Sequence, residues 1–269
     1  MESVIEHKKS GSAIIKVNDP RPLYQAISAL NEEYGWVVDY EDPPYAFESE
    51  LIDVTDPKWR TSHPNATGLK IPAGGAFQFE YEESAALATS AGKEEILRKI
   101  VSEYNRSGNP GRFVVRSEEG GRFSVVGTTV RDENADDKEV SPILDTLISI
   151  PTAQRSAEET IKLIRTNLSA KSGINVSDVG LVDNLLIQSK VIVGGENVPA
   201  RILLLQTLNA TNRTMIWSLL FDANLNTFYA LNTKIAARYV RGKDGTRRII
   251  PIDSQPIIIG LSNQKGRCP

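Results

Sequence analysis

The sequence predicts an α+β protein in which helices pack on mixed or antiparallel sheets, arranged as two related halves of βαβ-type units. The first observation is a repeated pattern, which runs from Val17 to Tyr40 and again from Val193 to Trp217. Each copy reads as a strand, a helix that begins near a proline, and a second strand. The second observation is the length of 269 residues, which is enough for two such halves.

Charge divides the chain at about the same place. Residues 1–140 hold 25 acidic and 16 basic side chains, a net charge of −9, whereas residues 141–269 hold 9 and 15, a net charge of +6. The charged run over residues 132–139 predicts a break between the halves. We therefore expect a flexible lead-in over residues 1–12, an N-terminal half over residues 13–138 and a C-terminal half over residues 139–269.

In the first half, the β-branched residues 14–17 predict a strand, and residues 18–20 (Asn-Asp-Pro) predict a helix start near Arg21. Gly35 stands where a left-handed residue would end that helix. Residues 36–41 alternate and predict a second strand. The apolar stripe of the helix consists of Leu23, Ala26, Ile27, Leu30 and Tyr34.

A long connection over residues 45–75 is interrupted by three prolines. A short strand is predicted within it near residues 51–54. Such a connection either wraps the surface or forms part of a binding edge. Residues 76–81 alternate aromatic and polar side chains and predict a strand. Further elements are a helix over residues 93–106 and a hairpin of residues 112–116 with residues 122–126.

The second half repeats this order. Residues 157–171 predict a helix that ends at Gly173, at the same distance from its last stripe leucine as Gly35 has from Leu30. A further helix is predicted over residues 198–212. Strands are predicted over residues 144–150, 174–176, 185–193, 215–221, 227–231 and 256–259.

Composition predicts a soluble protein, with 40% hydrophobic and 24% charged residues and a mean hydropathy of −0.26. No run approaches the roughly 20 apolar residues of a membrane helix, so we expect no transmembrane segment. The first ten residues lack the apolar core of a secretory signal. We expect no nucleic-acid partner, because no basic stripe crosses a domain.

Cysteine and histidine are too scarce for most metal sites. Cys268 is the only cysteine, and His7 and His63 are the only histidines, which excludes thiolate clusters and histidine-rich zinc or iron sites. The glycine pairs at residues 74–75 and 194–195 lack phosphate-loop spacing and are typical of turns or bulges. We expect no catalytic residue, no cofactor and no metal, and we interpret His63 as structural.

Carboxylates cluster at Asp39, Glu41 and Asp42, followed by other acids as far as residue 56. Calcium prefers oxygen ligands, but the spacing does not match that of a calcium loop. We therefore expect a solvated surface. Alternation places Asp39 and Glu41 opposite Tyr40 on a half-buried edge strand. The aromatic residues of this region, Trp36, Tyr40 and Tyr45, are interpreted as core and edge residues.

A basic segment near the end of the chain is the best candidate for binding an anionic partner, although a solvated hairpin is the alternative. Its turn is predicted at residues 242–245. The residues of this basic patch are Lys234, Arg238, Arg241, Lys243, Arg247 and Arg248.

Residues 17–23 (VNDPRPL) through 34–40 (YGWVVDY), and again residues 193–217, resemble the secretin and TonB N-terminus short domain, whose helix has the form xxLxxALxxLxxxxG. The chain as a whole is similar to exported bacterial proteins. The resemblance implies a periplasmic or secreted docking module with protein partners in the cell envelope; without it, a cytoplasmic location is the default. The family has no catalytic residues to carry over.

The sequence therefore favours a non-enzymatic protein-interaction or scaffold module of the bacterial envelope. The alternative is a small-ligand-binding protein or an enzyme that uses a cleft between the two halves, with residues 45–75 as a lid. A deep pocket lined by convergent acids and His63 favours that alternative, and a flat exposed sheet edge disfavours it.

Overall fold

A computed structural model of the protein describes residues 4–45, 47–64, 68–83, 89–225, 228–241 and 247–252. Within these residues the chain forms helices and strands in mixed and antiparallel sheets, which confirms the predicted α+β class. The helices are α1 (Pro22–Tyr34), α2 (Pro57–Ser62), α3 (Ser90–Arg106), α4 (Ala157–Ser172), α5 (Asp183–Gln188) and α6 (Ala200–Asn209).

The strands of the first half are β1 (Val4–His7), β2 (Ser12–Asn18), β3 (Val38–Glu41), β4 (Leu51–Asp53), β5 (Lys70–Pro72), β6 (Ala76–Glu82), β7 (Arg112–Ser117), β8 (Phe123–Arg131) and β9 (Asp137–Glu139). Those of the second half are β10 (Leu147–Ser156), β11 (Asn175–Gly180), β12 (Lys190–Pro199), β13 (Met215–Asp222), β14 (Phe228–Ile235), β15 (Ala237–Arg241) and β16 (Arg247–Pro251).

The two halves share one order of elements. In the first half, β2–α1–β3 is followed by β6–α3–β7–β8, and in the second half β10–α4–β11 is followed by β12–α6–β13–β14. The pairings match as well, because β2 and β6 are antiparallel, as are β10 and β12. In each half the last strand pairs antiparallel with the preceding one and parallel with the strand after the first helix.

A seven-stranded sheet joins the halves. Its order is β11-β14-β13-β3-β8-β7, and β9 pairs with the far end of β8. Strand β13 of the second half lies parallel to β3 of the first. The expected boundary at residues 138 and 139 falls inside β9, so the proposed domains share a sheet, and their division stays a prediction.

The halves place their helices on opposite faces of this sheet. The ring of Tyr40 on β3 lies 5.1 Å from that of Tyr24 on α1. The ring of Trp217 on β13 lies 5.6 Å from the guanidinium of Arg201 on α6. Because Ser218 is the register partner of Tyr40, the two side chains lie on the same face of the sheet. The side chain of the preceding residue, Trp217, therefore lies on the opposite face from Tyr40.

Local sequence explains the helix limits. Pro22 lies in the first turn of α1, and Gly35 ends that helix in the left-handed conformation with φ of 67°. Ser156 and Glu159 form a capping box at the start of α4, and Gly173 ends it with φ of 73°. Both predicted glycine ends are confirmed.

Three expectations differ from the structure. Residues 4–7 of the expected flexible lead-in form β1, which pairs with β2. The strand predicted over residues 185–193 is wrong in its first part, which belongs to α5, since a short apolar run fits a helix as well as a strand. Helix α2 lies within the connection of residues 45–75, where only the short strand was predicted. The predicted strand over residues 256–259 lies outside the described residues.

No helix in the described ranges has both the length and the apolar character needed to cross a membrane.

Candidate functional site

The contact between β3 and β13, here called the seam, is where the two halves meet. Its backbone pairing is short, with Tyr40 opposite Ser218 and Glu41 opposite Leu219. The backbone N–H of Asp42 extends it by donating to the Leu219 carbonyl at 2.9 Å. Side chains therefore provide most of the remaining contacts across the seam.

The three acids expected on a solvated surface lie instead in the seam, where Asp39, Glu41 and Asp42 are buried. This expectation was wrong because β3 is a central strand, and the arginines that compensate the charges lie far away in sequence. The acids farther along the segment divide, since Glu50 is buried, whereas Glu48, Asp53 and Asp56 are exposed as expected.

Asp39 forms a hydrogen bond with the backbone at the edge of β13. Its Oδ1 accepts the backbone N–H of Trp217 at 2.9 Å, and Arg122 lies 3.4 Å away. Arg122 also donates to the carbonyl of Met215 at 2.6 Å. Burial raises the pKa of Asp39 to about 6, although Arg122 and the Trp217 N–H favour the charged form.

Asp42 also accepts a backbone N–H of β13, further along that strand. Its Oδ2 accepts Nε of Arg21 at 2.7 Å and the backbone N–H of Phe221 at 3.0 Å. Arg21 also donates to the Phe221 carbonyl. Burial raises the pKa of Asp42 and Arg21 opposes that shift. One charged pair thus satisfies both polar groups of a β13 residue.

Glu41 points to the other half's helices. It accepts a hydrogen bond from Arg201 and the backbone N–H of Leu144 at 3.1 Å. Arg201 also lies 3.1 Å from Asp145 and rests over the Trp217 ring. Burial raises the pKa of Glu41, opposed by the charge of Arg201. The seam is therefore a network of buried, charged side chains that hold two sheet edges together through ion pairs and hydrogen bonds.

The pH dependence of stability is expected to report on Asp39. Its pKa of about 6 in the folded protein lies above the ordinary 3.8, so folding takes up a proton between these values. The resulting contribution to stability is complete below about pH 4 and is lost as the pH rises through about 6. Glu41 and Asp42, whose pKa values are also raised, act in the same direction.

Between pH 4 and pH 6 the wild type is expected to lose unfolding free energy as Asp39 ionises. In Asp39→Asn this loss should be smaller than in the wild type by roughly 1 to 3 kcal/mol. Urea denaturation at a series of pH values measures it. Asp137→Asn, which changes an exposed carboxylate, is the matched control. An unchanged pH profile for Asp39→Asn would contradict the assignment.

A cleft of about 300 Å³ lies beside the seam, between α1 and strands β13 and β14. Its walls are mainly aromatic, aliphatic, hydroxyl and amide groups, with the ammonium of Lys234 among them. The side chains that line it include Tyr24, Ile27, Tyr40, Ser218, Leu220 and Asn232. Neither His63 nor a carboxylate lines this cleft.

The connection between β3 and β6 forms a projecting arm, defined here as residues 51–64 and 68–72. It consists of the antiparallel pair β4 and β5 with α2 between them. Its exposed apolar side chains, here called the Trp59 surface, are Ile52, Val54, Trp59 and Leu69, which are 44%, 40%, 42% and 52% exposed. A depression of about 490 Å³ lies among Trp59, Leu69 and Asn224.

The arm is fixed to the body by hydrogen bonds. Asn224 donates to the carbonyl of Lys70 at 3.0 Å and accepts the N–H of Lys70 at 2.5 Å. Asp56 caps α2 by accepting two backbone N–H groups. The sequence left open whether this connection wraps the surface or forms part of a binding edge, and it did not single out Trp59, whose exposure the local pattern does not reveal.

Side chains of the basic patch are described at three of its positions. Lys234 lies near the end of β14, and its ammonium is 3.8 Å from Glu32. In the hairpin of β15 and β16, Arg238 and Arg248 are exposed. Lys243 and the predicted turn lie outside the described residues. Anion binding at this patch stays a prediction.

The other residues singled out from the sequence lie in the core, in an aromatic stack or at a strand irregularity. Trp36, Tyr40 and Tyr45 are buried, which confirms their interpretation as core residues. His63 is exposed and stacks on Trp59 with ring centroids 4.8 Å apart. Residues 194–195 lie at a register shift between β10 and β12, as a bulge requires. No group of three metal-ligating side chains occurs in the described part of the chain.

Searches against protein-family models, curated proteins and solved structures find no match to this chain. The resemblance of its repeated unit to the secretin and TonB N-terminus short domain therefore stays a prediction, and the geometry of the seam, the cleft and the Trp59 surface carries what is inferred about function.

Proposed function

We propose that the protein is a non-enzymatic interaction or scaffold module of the bacterial envelope that binds a protein partner through the Trp59 surface. The observation that carries this proposal is the cluster of four exposed apolar side chains on one projecting arm. Clustered apolar exposure around an aromatic residue is typical of interaction sites. The envelope location rests on the family resemblance alone.

The attachment of the arm supports the proposal. Two hydrogen bonds between Asn224 and Lys70 hold the start of β5, and β4 pairs with β5, so the surface is formed before a partner binds. The arm is also where the halves differ most, because the corresponding connection in the second half holds only the short helix α5. The duplicated elements build the scaffold, and the arm adds a surface to it.

A photo-crosslinking amino acid at position 54 tests this function in cells. We expect crosslinks to a protein of the cell envelope, and Trp59→Ala is expected to weaken the purified complex about thirtyfold, since buried tryptophans commonly contribute 2 kcal/mol or more at interfaces. Ile192→Ala, which truncates an aliphatic side chain on β12 that is 69% exposed, is the control. A cytoplasmic location without crosslinks, or full binding by Trp59→Ala, contradicts the proposal.

The cleft favours a second candidate function, the binding of a small molecule between the halves. Its volume of about 300 Å³ is at the lower end of the range for ligand pockets. Its apolar walls and single ammonium suit a molecule with an apolar body and an anionic group. Titration with 8-anilinonaphthalene-1-sulfonate, compared between the wild type and Ser218→Trp, measures such binding directly.

A further inference from the structure

The seam joins two unlike edges of a repeated unit, and the same two kinds of edge recur at the ends of the sheet. Each half contributes three strands in the same order, namely β3-β8-β7 and β11-β14-β13. The seam uses the β13 edge of one half and the β3 edge of the other. Strand β7 corresponds to β13 and strand β11 corresponds to β3, and these two strands end the sheet.

The residues at these edges can be matched one by one. Counting from the helix-ending glycines at positions 35 and 173 makes Val176 the counterpart of Val38 and Asp178 the counterpart of Tyr40. A register shift follows in β11, so Gly180, the partner of Asn232, takes the place that Glu41 has as the partner of Val126. Both valines at the first position are buried. The pairings of β8 with β3 and of β14 with β11 make Val125 the counterpart of Leu231. The pairings of β7 with β8 and of β13 with β14 then make Val115 the counterpart of Leu219.

Helix side chains cap the same places on the edges. In β3, the Asn31 amide accepts the N–H of Val38 at 3.2 Å and donates to its carbonyl at 2.9 Å. In β11, Ser169 accepts the N–H of Val176 at 2.9 Å, and Arg165 lies 3.4 Å from its carbonyl. The cap on β3 leaves room for the seam, which begins two residues later.

A similar cap occurs on β7. Asn105 accepts the N–H of Phe113 at 3.0 Å and donates to its carbonyl at 2.9 Å, so these groups point out of the sheet. Since strand backbones repeat every two residues, the N–H and carbonyl of Val115 point the same way. The N–H and carbonyl of Val115 therefore point out of the sheet edge, as those of its counterpart Leu219 do toward the seam.

The side chains at the outer edges suit an apolar version of the seam. Val179 is 64% exposed, and Val114 on β7 is 40% exposed. Val179 precedes Gly180, which stands where the seam has Glu41, a buried acid that needs Arg201. Replacing a buried ion pair by apolar residues is often neutral or stabilising, so β7 and β11 can pair without the charges of the seam.

We propose that β7 of one molecule pairs in parallel with β11 of a second copy, with Val114 opposite Asp178 and Val115 opposite Gly180. The seam is the template for this contact. Because the two edges differ, the contact is head-to-tail and leaves one β7 and one β11 edge free at the ends, so it generates an open series of oligomers. This interface is separate from the Trp59 surface and does not depend on the proposed function.

Cysteine crosslinking tests the register. Paired residues on adjacent strands lie about 4.8 Å apart, which is within the range for a disulfide. In a Cys268→Ser background, Val114→Cys with Asp178→Cys is expected to form a ladder of disulfide-linked dimers, trimers and larger species. Val114→Cys with Lys162→Cys, whose second site is exposed on α4, is the matched pair and should form no ladder.

Sedimentation measures the association without crosslinks. Val179→Asp adds a charge between Asp178 and Gly180 in the proposed contact, and we expect it to weaken self-association at least about tenfold without changing the circular dichroism spectrum, because its side chain is exposed in the monomer. Ile192→Asp makes the same change at another exposed site and should leave association unchanged. A strictly monomeric wild type at millimolar concentration, or a ladder of equal yield from the control pair, overturns the proposal.

Discussion

Arg201→Met is expected to lower the free energy of unfolding by about 3 to 5 kcal/mol, the range for removing one partner of a buried ion pair. Arg201 is buried and binds Glu41 in the centre of the seam. Without it, the Glu41 carboxylate keeps the N–H of Leu144 as its hydrogen-bond donor but has no charge partner. Urea denaturation at neutral pH measures the change.

Two further variants separate loss of charge balance from loss of contact. The double variant Glu41→Gln with Arg201→Met removes both charges and should recover a large part of the lost stability. Arg116→Met, which breaks a half-exposed pair with Asp145, should lower stability by only about 1 kcal/mol or less. Equal effects of Arg201→Met and Arg116→Met would show that Glu41 does not need its partner.

Asp42→Ala is expected to lower the free energy of unfolding by about 3 kcal/mol, because it removes the acceptor of the Phe221 N–H and the charge partner of Arg21 together. Asp42→Asn keeps an oxygen that can accept the N–H of Phe221, so its loss should be smaller. Thermal and urea unfolding of both variants measure the difference. A smaller loss for alanine than for asparagine contradicts the role assigned to the carboxylate.

Local sequence was sufficient where the signal is local. Helices α1 and α4 follow from apolar spacing, from a proline or capping box at the start and from the glycines at positions 35 and 173. Strand β6 follows from strict alternation, since its aromatic residues are buried and its polar residues exposed. Alternation also placed Asp39 and Glu41 correctly on the face opposite Tyr40.

The seam could not be predicted in the same way, because its partners are distant in sequence. Glu41 and Arg201 are 160 positions apart, and Asp42 and Phe221 are 179 apart. A short acidic segment before two prolines is typical of an exposed edge strand, and only the approach of β13 buries it. The repeated pattern predicted two related halves, but it did not indicate that their strands join in one sheet.

Because the seam joins the two halves through buried ion pairs and backbone hydrogen bonds, we expect them to unfold as one cooperative structure. Trp36 is buried in the first half and Trp217 in the second, so each can serve as the only tryptophan in a variant whose other two are replaced by phenylalanine. In each variant, urea unfolding followed by tryptophan fluorescence and by circular dichroism should give one coincident transition. A Trp36 transition separate from that of the whole chain, with the second half still folded, would contradict the claim.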